Sequence, residues 1–78
     1  QKVNMRHFRF ELLYNHIPDF REKDHVIPAG SLADAVQKFA RKHDLDAPAY
    51  WDEPTFDKVI DLSFKQGSYE IRYRITWV

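Results

Sequence analysis

Cysteine is absent from this chain of 78 residues, so no disulfide and no thiolate metal site holds it together. Glycine is nearly absent too. Gly30 and Gly67 are the only two, too few for a Gly-rich loop that cradles phosphate. There is no G-x-S-x-G, no H-E-x-x-H and no cysteine nucleophile. No uninterrupted apolar run reaches membrane-spanning length and no apolar secretory segment opens the chain. Charge of one sign is missing as well, since 12 Lys and Arg balance 12 Asp and Glu. A generic polyanion binder carries a basic excess, and this chain has none. These absences set the expectations: one domain over 1–78, soluble and cytoplasmic, not an enzyme, with no catalytic residue, no cofactor, no metal and no membrane partner.

What the chain does have is alternation. Tyr69, Ile71, Tyr73, Ile75 and Trp77 interleave with Glu70, Arg72, Arg74, Thr76 and Val78. Ile60, Leu62 and Phe64 interleave with Asp61, Ser63 and Lys65 just before. A period of two puts one face on a core and the other in water. Gln66-Gly67 joins the two runs, and glycine supplies the positive φ of a tight turn, which predicts a terminal β-hairpin. Residues 6–14 alternate likewise, with Phe8, Phe10, Leu12 and Tyr14 on the core side and His7, Arg9, Glu11 and Leu13 opposite. Residues 15–19 read as a loop. Residues 20–27 are charged and strand-like only at Val26-Ile27, a short edge strand ended by Pro28-Ala29-Gly30.

Ser31 with Asp34 forms the S-x-x-D capping pattern of a helix. Leu32, Ala35, Val36, Phe39 and Ala40 then follow helical spacing, and Lys38, Arg41 and Lys42 favour the C-terminal end of the dipole. The helix is expected to stop near Asp44 or Leu45. Residues 44–55, with a proline at Pro48 and another at Pro54, have no sustained period and read as a long irregular connection.

The reading is an α+β fold of order β-β-α-β-β, a four-stranded sheet with one helix on one face. Order 2-1-4-3 puts the two clean alternators at the centre, expected parallel to each other; order 1-2-3-4 would bury the charged strand. One helix cannot cover such an aromatic sheet face, so Leu45, Tyr50, Trp51 and Phe56, or a second subunit in a homodimer, are expected to complete the cover.

Tyr50-Trp51-Asp52-Glu53 is the most interface-like segment, because Trp and Tyr anchor contacts and flanking acids select a basic partner. Trp51 is equally able to lie on the under-covered sheet. Arg9, Arg72 and Arg74 share the outer sheet face if their strands are neighbours, where arginines hold phosphate or carboxylate bidentately. Glu11 and Glu70 on the same face offer cross-strand ion pairs instead. His43-Asp44 reads as a helix-end pair, and Asp44, Asp46, Asp52, Glu53 and Asp57 as a solvated acidic loop without EF-hand spacing. The charge is also split. Residues 1–43 hold eight Lys and Arg against five Asp and Glu, and residues 44–78 hold four against seven, a dipolar chain suited to oriented protein docking.

The run Ile27-Pro28-Ala29-Gly30-Ser31-Leu32-Ala33-Asp34-Ala35, leading a strand into the helix, resembles small phage and mobile-element proteins with an A-x-S-L-x-x-A helix opening and a following hairpin. Some anti-CRISPR inhibitors that dock on guide-RNA surveillance complexes are similar. The resemblance implies a non-enzymatic inhibitor of a bacterial defence complex, a ribonucleoprotein among the partners, acting by steric and electrostatic blockade in a bacterial host cell. The alternative is a nucleic-acid-binding module using Arg9, Arg72 and Arg74.

Overall fold

Period-two alternation becomes a four-stranded sheet in the computed structural model, which describes residues 5–18, 25–52, 54 and 56–78. Its elements are β1 (Arg6–Asn15), β2 (His25–Ala29), α1 (Leu32–His43), β3 (Val59–Gln66) and β4 (Tyr69–Thr76), and the sheet order is β2-β1-β4-β3. The order is the one the alternation predicts. Phe8 and Phe10 of β1, Leu62 and Phe64 of β3, and Ile71, Tyr73 and Ile75 of β4 turn to one face and are buried. Each such side chain contributes roughly 1.5–3 kcal/mol on burial.

Helix α1 lies on that face. Ser31 caps it, its Oγ accepting the Asp34 N–H at 3.1 Å, while the Asp34 carboxylate reaches back to the Gly30 N–H at 3.4 Å. Leu32, Ala35, Val36, Phe39 and Ala40 form its buried stripe. Asp44 ends it in the left-handed region, with φ 56°, and the Leu45 N–H closes on the Ala40 carbonyl. The hairpin turn places Gly67 at φ 63°, as its sequence position requires.

Strand direction differs from expectation. β1 and β4 are antiparallel, with Phe10 opposite Ile75 and Leu12 opposite Tyr73, whereas the sequence reading made them parallel. The reason lies in the connection after α1. The helix starts near the end of the sheet where Arg6 faces Ala29, and it delivers Asp46 to Lys65 at the opposite end. Val59, however, pairs with Thr76, which also faces Arg9, so β3 begins back near the first end. Residues 47–58 are therefore a return leg along the molecule. A short connection would have started β3 at the far end and produced the parallel arrangement.

Two local departures accompany it. Leu13 is a bulge between the pairs Leu12–Tyr73 and Tyr14–Arg72, so Tyr14 flips from the core side to the outer face. β2 also runs on through Pro28 to Ala29, where the sequence reading ended it. Proline is tolerated because β2 is an edge and Pro28 turns its nitrogen away from β1. The expected strand start at residues 20–24 lies outside the described residues.

Candidate docking surface

The cover over the sheet comes from part of the connection. Leu45 is buried, and Ala47 and Trp51 pack against the core at partial burial. Trp77 closes the other end, its ring 5.5 Å from Phe8 and its N–H bonded to the Lys58 carbonyl. Tyr50 and Phe56, also expected to cover the sheet, do not: they are 84% and 90% exposed. Trp51 is thus half-buried against the core, while its neighbour Tyr50 is exposed to solvent.

Three points hold the connection in place. Asp46 bonds Lys65 through both backbone groups, at 2.7 and 3.0 Å, which ties the chain to the edge of β3. Trp51 rests on the core. The Lys58 carbonyl is bonded at β4's end. Residues 44–57 carry five carboxylates and no Lys or Arg. Asp44, Asp46, Asp52 and Asp57 are exposed, while Glu53 lies outside the described residues. Among the described residues, no three of His, Asp and Glu converge as a metal site. Tyr50 and Phe56 are thus exposed large rings on a connection rich in exposed carboxylates.

The outer sheet face is differently built. Arg9, Arg72 and Arg74 do share it, as β1 and β4 are neighbours. Arg74 is committed to Asp61 of β3, at 2.9 Å from Nε and 3.2 Å from Nη2, the bidentate geometry. Arg72 donates to the Ser63 hydroxyl at 2.7 Å. Tyr14, brought out by the bulge, donates to the Glu70 carboxylate at 2.9 Å and stacks on His16. The sequence reading placed Tyr14 inward and so missed this contact; the adjacent apolar pair Leu12-Leu13, which interrupts the alternation, is the signal that marks the bulge. The Arg74 hydrogen bond and charge hold the Asp61 carboxyl below its ordinary range. Hydrogen bonds from Ser63 and Tyr14 do the same for Glu70. Asp61, rather than Glu11 or Glu70, makes the ion pair to Arg74.

At the helix end, the His43 ring lies 4.8 Å from His25 and 4.6 Å from Phe39, so His43 packs at the rim of the core. No helix among the described residues is long and apolar enough to cross a membrane. No family model matches this chain, and neither the curated proteins nor the solved structures include a match.

Two outcomes follow from these placements. Thermal melts should separate the three aromatic rings: Trp51→Ala loses about 2 kcal/mol, less than a fully buried ring, and melts roughly 8–16 °C lower. Tyr50→Ala and Phe56→Ala should stay within about 0.5 kcal/mol of the parent, as exposed substitutions do.

Acid unfolding tests the outer face. Asp61 and Glu70 are depressed below ordinary values of 3.8 and 4.5, so their contribution is present above that range and is lost as pH falls through the lowered folded values. Denaturant titrations between about pH 6 and about pH 2.5 should show stability falling with acid. Asp61→Asn should be less stable at the upper pH and show a shallower fall; an unchanged slope would mean that the Arg74 pair does not couple to folding.

Proposed function

We propose that this chain is a small non-enzymatic binding protein that docks on another protein through residues 44–57. The observation that carries the reading is the exposure of Tyr50 and Phe56, at 84% and 90%, on a segment anchored at Asp46 and Trp51. Large rings left in water cost hydration free energy that a partner's surface recovers. The surrounding carboxylates of Asp44, Asp46, Asp52 and Asp57 favour a partner surface that is locally basic.

The finer reading is blockade of a bacterial defence complex by occupying a site on it. Its support is the strand-strand-helix-strand-strand order, which is the order that the sequence resemblance implies. A second reading, nucleic-acid binding on the outer sheet face, gains one observation: the Tyr14 ring sits there beside Arg72. Glu11, Asp61 and Glu70 interleave with those arginines, and Arg72 and Arg74 already hold protein partners, which favours the protein-docking reading.

The test is a binding series with purified guide-RNA surveillance complexes, read by size-exclusion chromatography and by target-DNA binding. Stoichiometric association should weaken at least about tenfold in the Tyr50→Ala/Phe56→Ala double variant, whose melting temperature should stay close to the parent's. Binding to none of the complexes removes the finer reading. Undiminished binding by the double variant removes residues 44–57 as the docking surface. A gel shift on RNA or DNA at low salt that collapses with added salt moves the function to the outer face.

A further inference from the structure

The two edges of the sheet are unequal. β2 is short, and Pro28, facing outward, has no N–H to offer; its carbonyl is taken by the Lys38 ammonium at 3.0 Å. Pro28 thus blunts that edge in one of the ways native sheets use. β3 is longer. In an antiparallel ladder alternate residues turn both backbone groups to the same side. Lys65 turns its pair outward, to Asp46, whereas the Lys58 carbonyl turns inward to Trp77, so Val59, Asp61 and Ser63 also point their N–H and C=O outward. The pairing that begins at Asp46 stops at Pro48, which cannot donate. A hollow of about 430 Å³ lies between Ala47, Pro48 and Ser63. A second hollow of about 430 Å³ lies beside Val59, Ile60, Asp61 and Arg74. Among the described residues, no other backbone segment bonds to Val59, Asp61 or Ser63.

We propose that the open edge of β3, from Val59 to Ser63, is a strand-addition site for an extended segment of another protein carrying Lys or Arg between two apolar residues. The Asp46–Lys65 bridge shows that this edge accepts an extended backbone through both of its groups, and the added strand continues that pairing. The choice of occupant follows from Asp61. A residue directly opposite it shares the outer face, and its neighbours turn inward beside half-buried Ile60. The Asp61 carboxylate spends one lone pair of each oxygen on Arg74 and keeps others for a second cation. β4 already presents this pattern on the other side of β3: Tyr73-Arg74-Ile75 lies against Leu62-Asp61-Ile60.

A second copy of the chain fits poorly. The two-fold register that uses all three open positions sets Val59 against Ser63 and Asp61 against Asp61, and like charges directly opposite repel. The edge is thus guarded against itself and open to a cationic strand. This role is separate from docking through Tyr50 and Phe56, and either can fail alone.

The experiment uses the intact chain, isotopically labelled, and a synthetic peptide with the sequence of residues 69–78. Backbone amide shifts and hydrogen exchange are followed by NMR as the peptide is added up to about millimolar concentration. In the free chain the Lys65 amide should be protected and those of Val59, Asp61 and Ser63 should exchange fast. With the peptide, these three amides should shift and become protected. A peptide with Glu in place of the arginine that corresponds to Arg74 should bind at least about tenfold more weakly, since it reverses the pairing charge. No perturbation of these amides overturns the proposal, and equal binding of the Glu peptide overturns the assignment of a cationic strand. Perturbation centred on Ile60, Leu62 and Phe64 would mean exchange with β4 and also overturns it, as would concentration-dependent dimerisation of the chain alone with protected Val59, Asp61 and Ser63 amides.

Discussion

The fold depends on one side chain, Phe39. From the buried stripe of α1 its ring meets a ring on every strand: Phe10 of β1 stacked at 4.4 Å, Tyr73 of β4 at 4.7 Å, Phe64 of β3 at 5.2 Å and His25 of β2 at 5.8 Å. Aromatic pairs at such spacings add energy beyond the area they bury. A buried phenylalanine is worth roughly 3–5 kcal/mol on truncation, a large share of what holds a domain this small. With no disulfide and no described metal site, little else can replace it. The helix contributes only Leu32, Val36 and Phe39 as large apolar residues, so the rest of the inner face needs another cover.

That need shapes the surface on which function is proposed. The return leg after α1 supplies Leu45 and Trp51 to the core and, in reversing direction, makes the whole sheet antiparallel. It is tied to the sheet edge at Asp46 and rests on the core at Trp51. Tyr50 and Phe56, on the same connection, face water. The same pin at Asp46 leaves the rest of the β3 edge uncovered once Pro48 breaks the pairing. Cover, proposed docking surface and open edge are consequences of one segment's path.

Much of this was legible in the residues, and the parts that were not have physical reasons. Alternation marked β1, β3 and β4, and the strand order followed from asking which runs were clean enough to be central. The Ser31–Asp34 cap, the helical stripe and the Gln66-Gly67 turn are local chemistry and read directly. Strand direction was not legible, because it depends on how far residues 47–58 travel before β3 starts, and an aperiodic segment carries no sign of its path. The flip of Tyr14 rests on a one-residue bulge without glycine, marked only by Leu12-Leu13. In the connection, Tyr50, Trp51 and Phe56 were similar candidates for burial. Composition cannot choose among them, since the choice belongs to the backbone's course over the sheet. The pairing of Arg74 with Asp61 needed the register of β3 on β4, which the hairpin turn sets.

The central claim is that Phe39 pins four strands whose middle pair is antiparallel, and one nuclear Overhauser spectrum of the intact chain tests it. The account predicts cross-peaks from the Phe39 ring to Phe10, His25, Phe64 and Tyr73. It also predicts strong Hα–Hα cross-peaks for Phe10 with Ile75 and for Leu12 with Tyr73, which only close antiparallel pairs give. Ring contacts without those Hα–Hα peaks would contradict the strand direction and with it the path assigned to residues 47–58. Absence of the Phe39 contacts to β2 and β3 would contradict the packing on which the whole description stands.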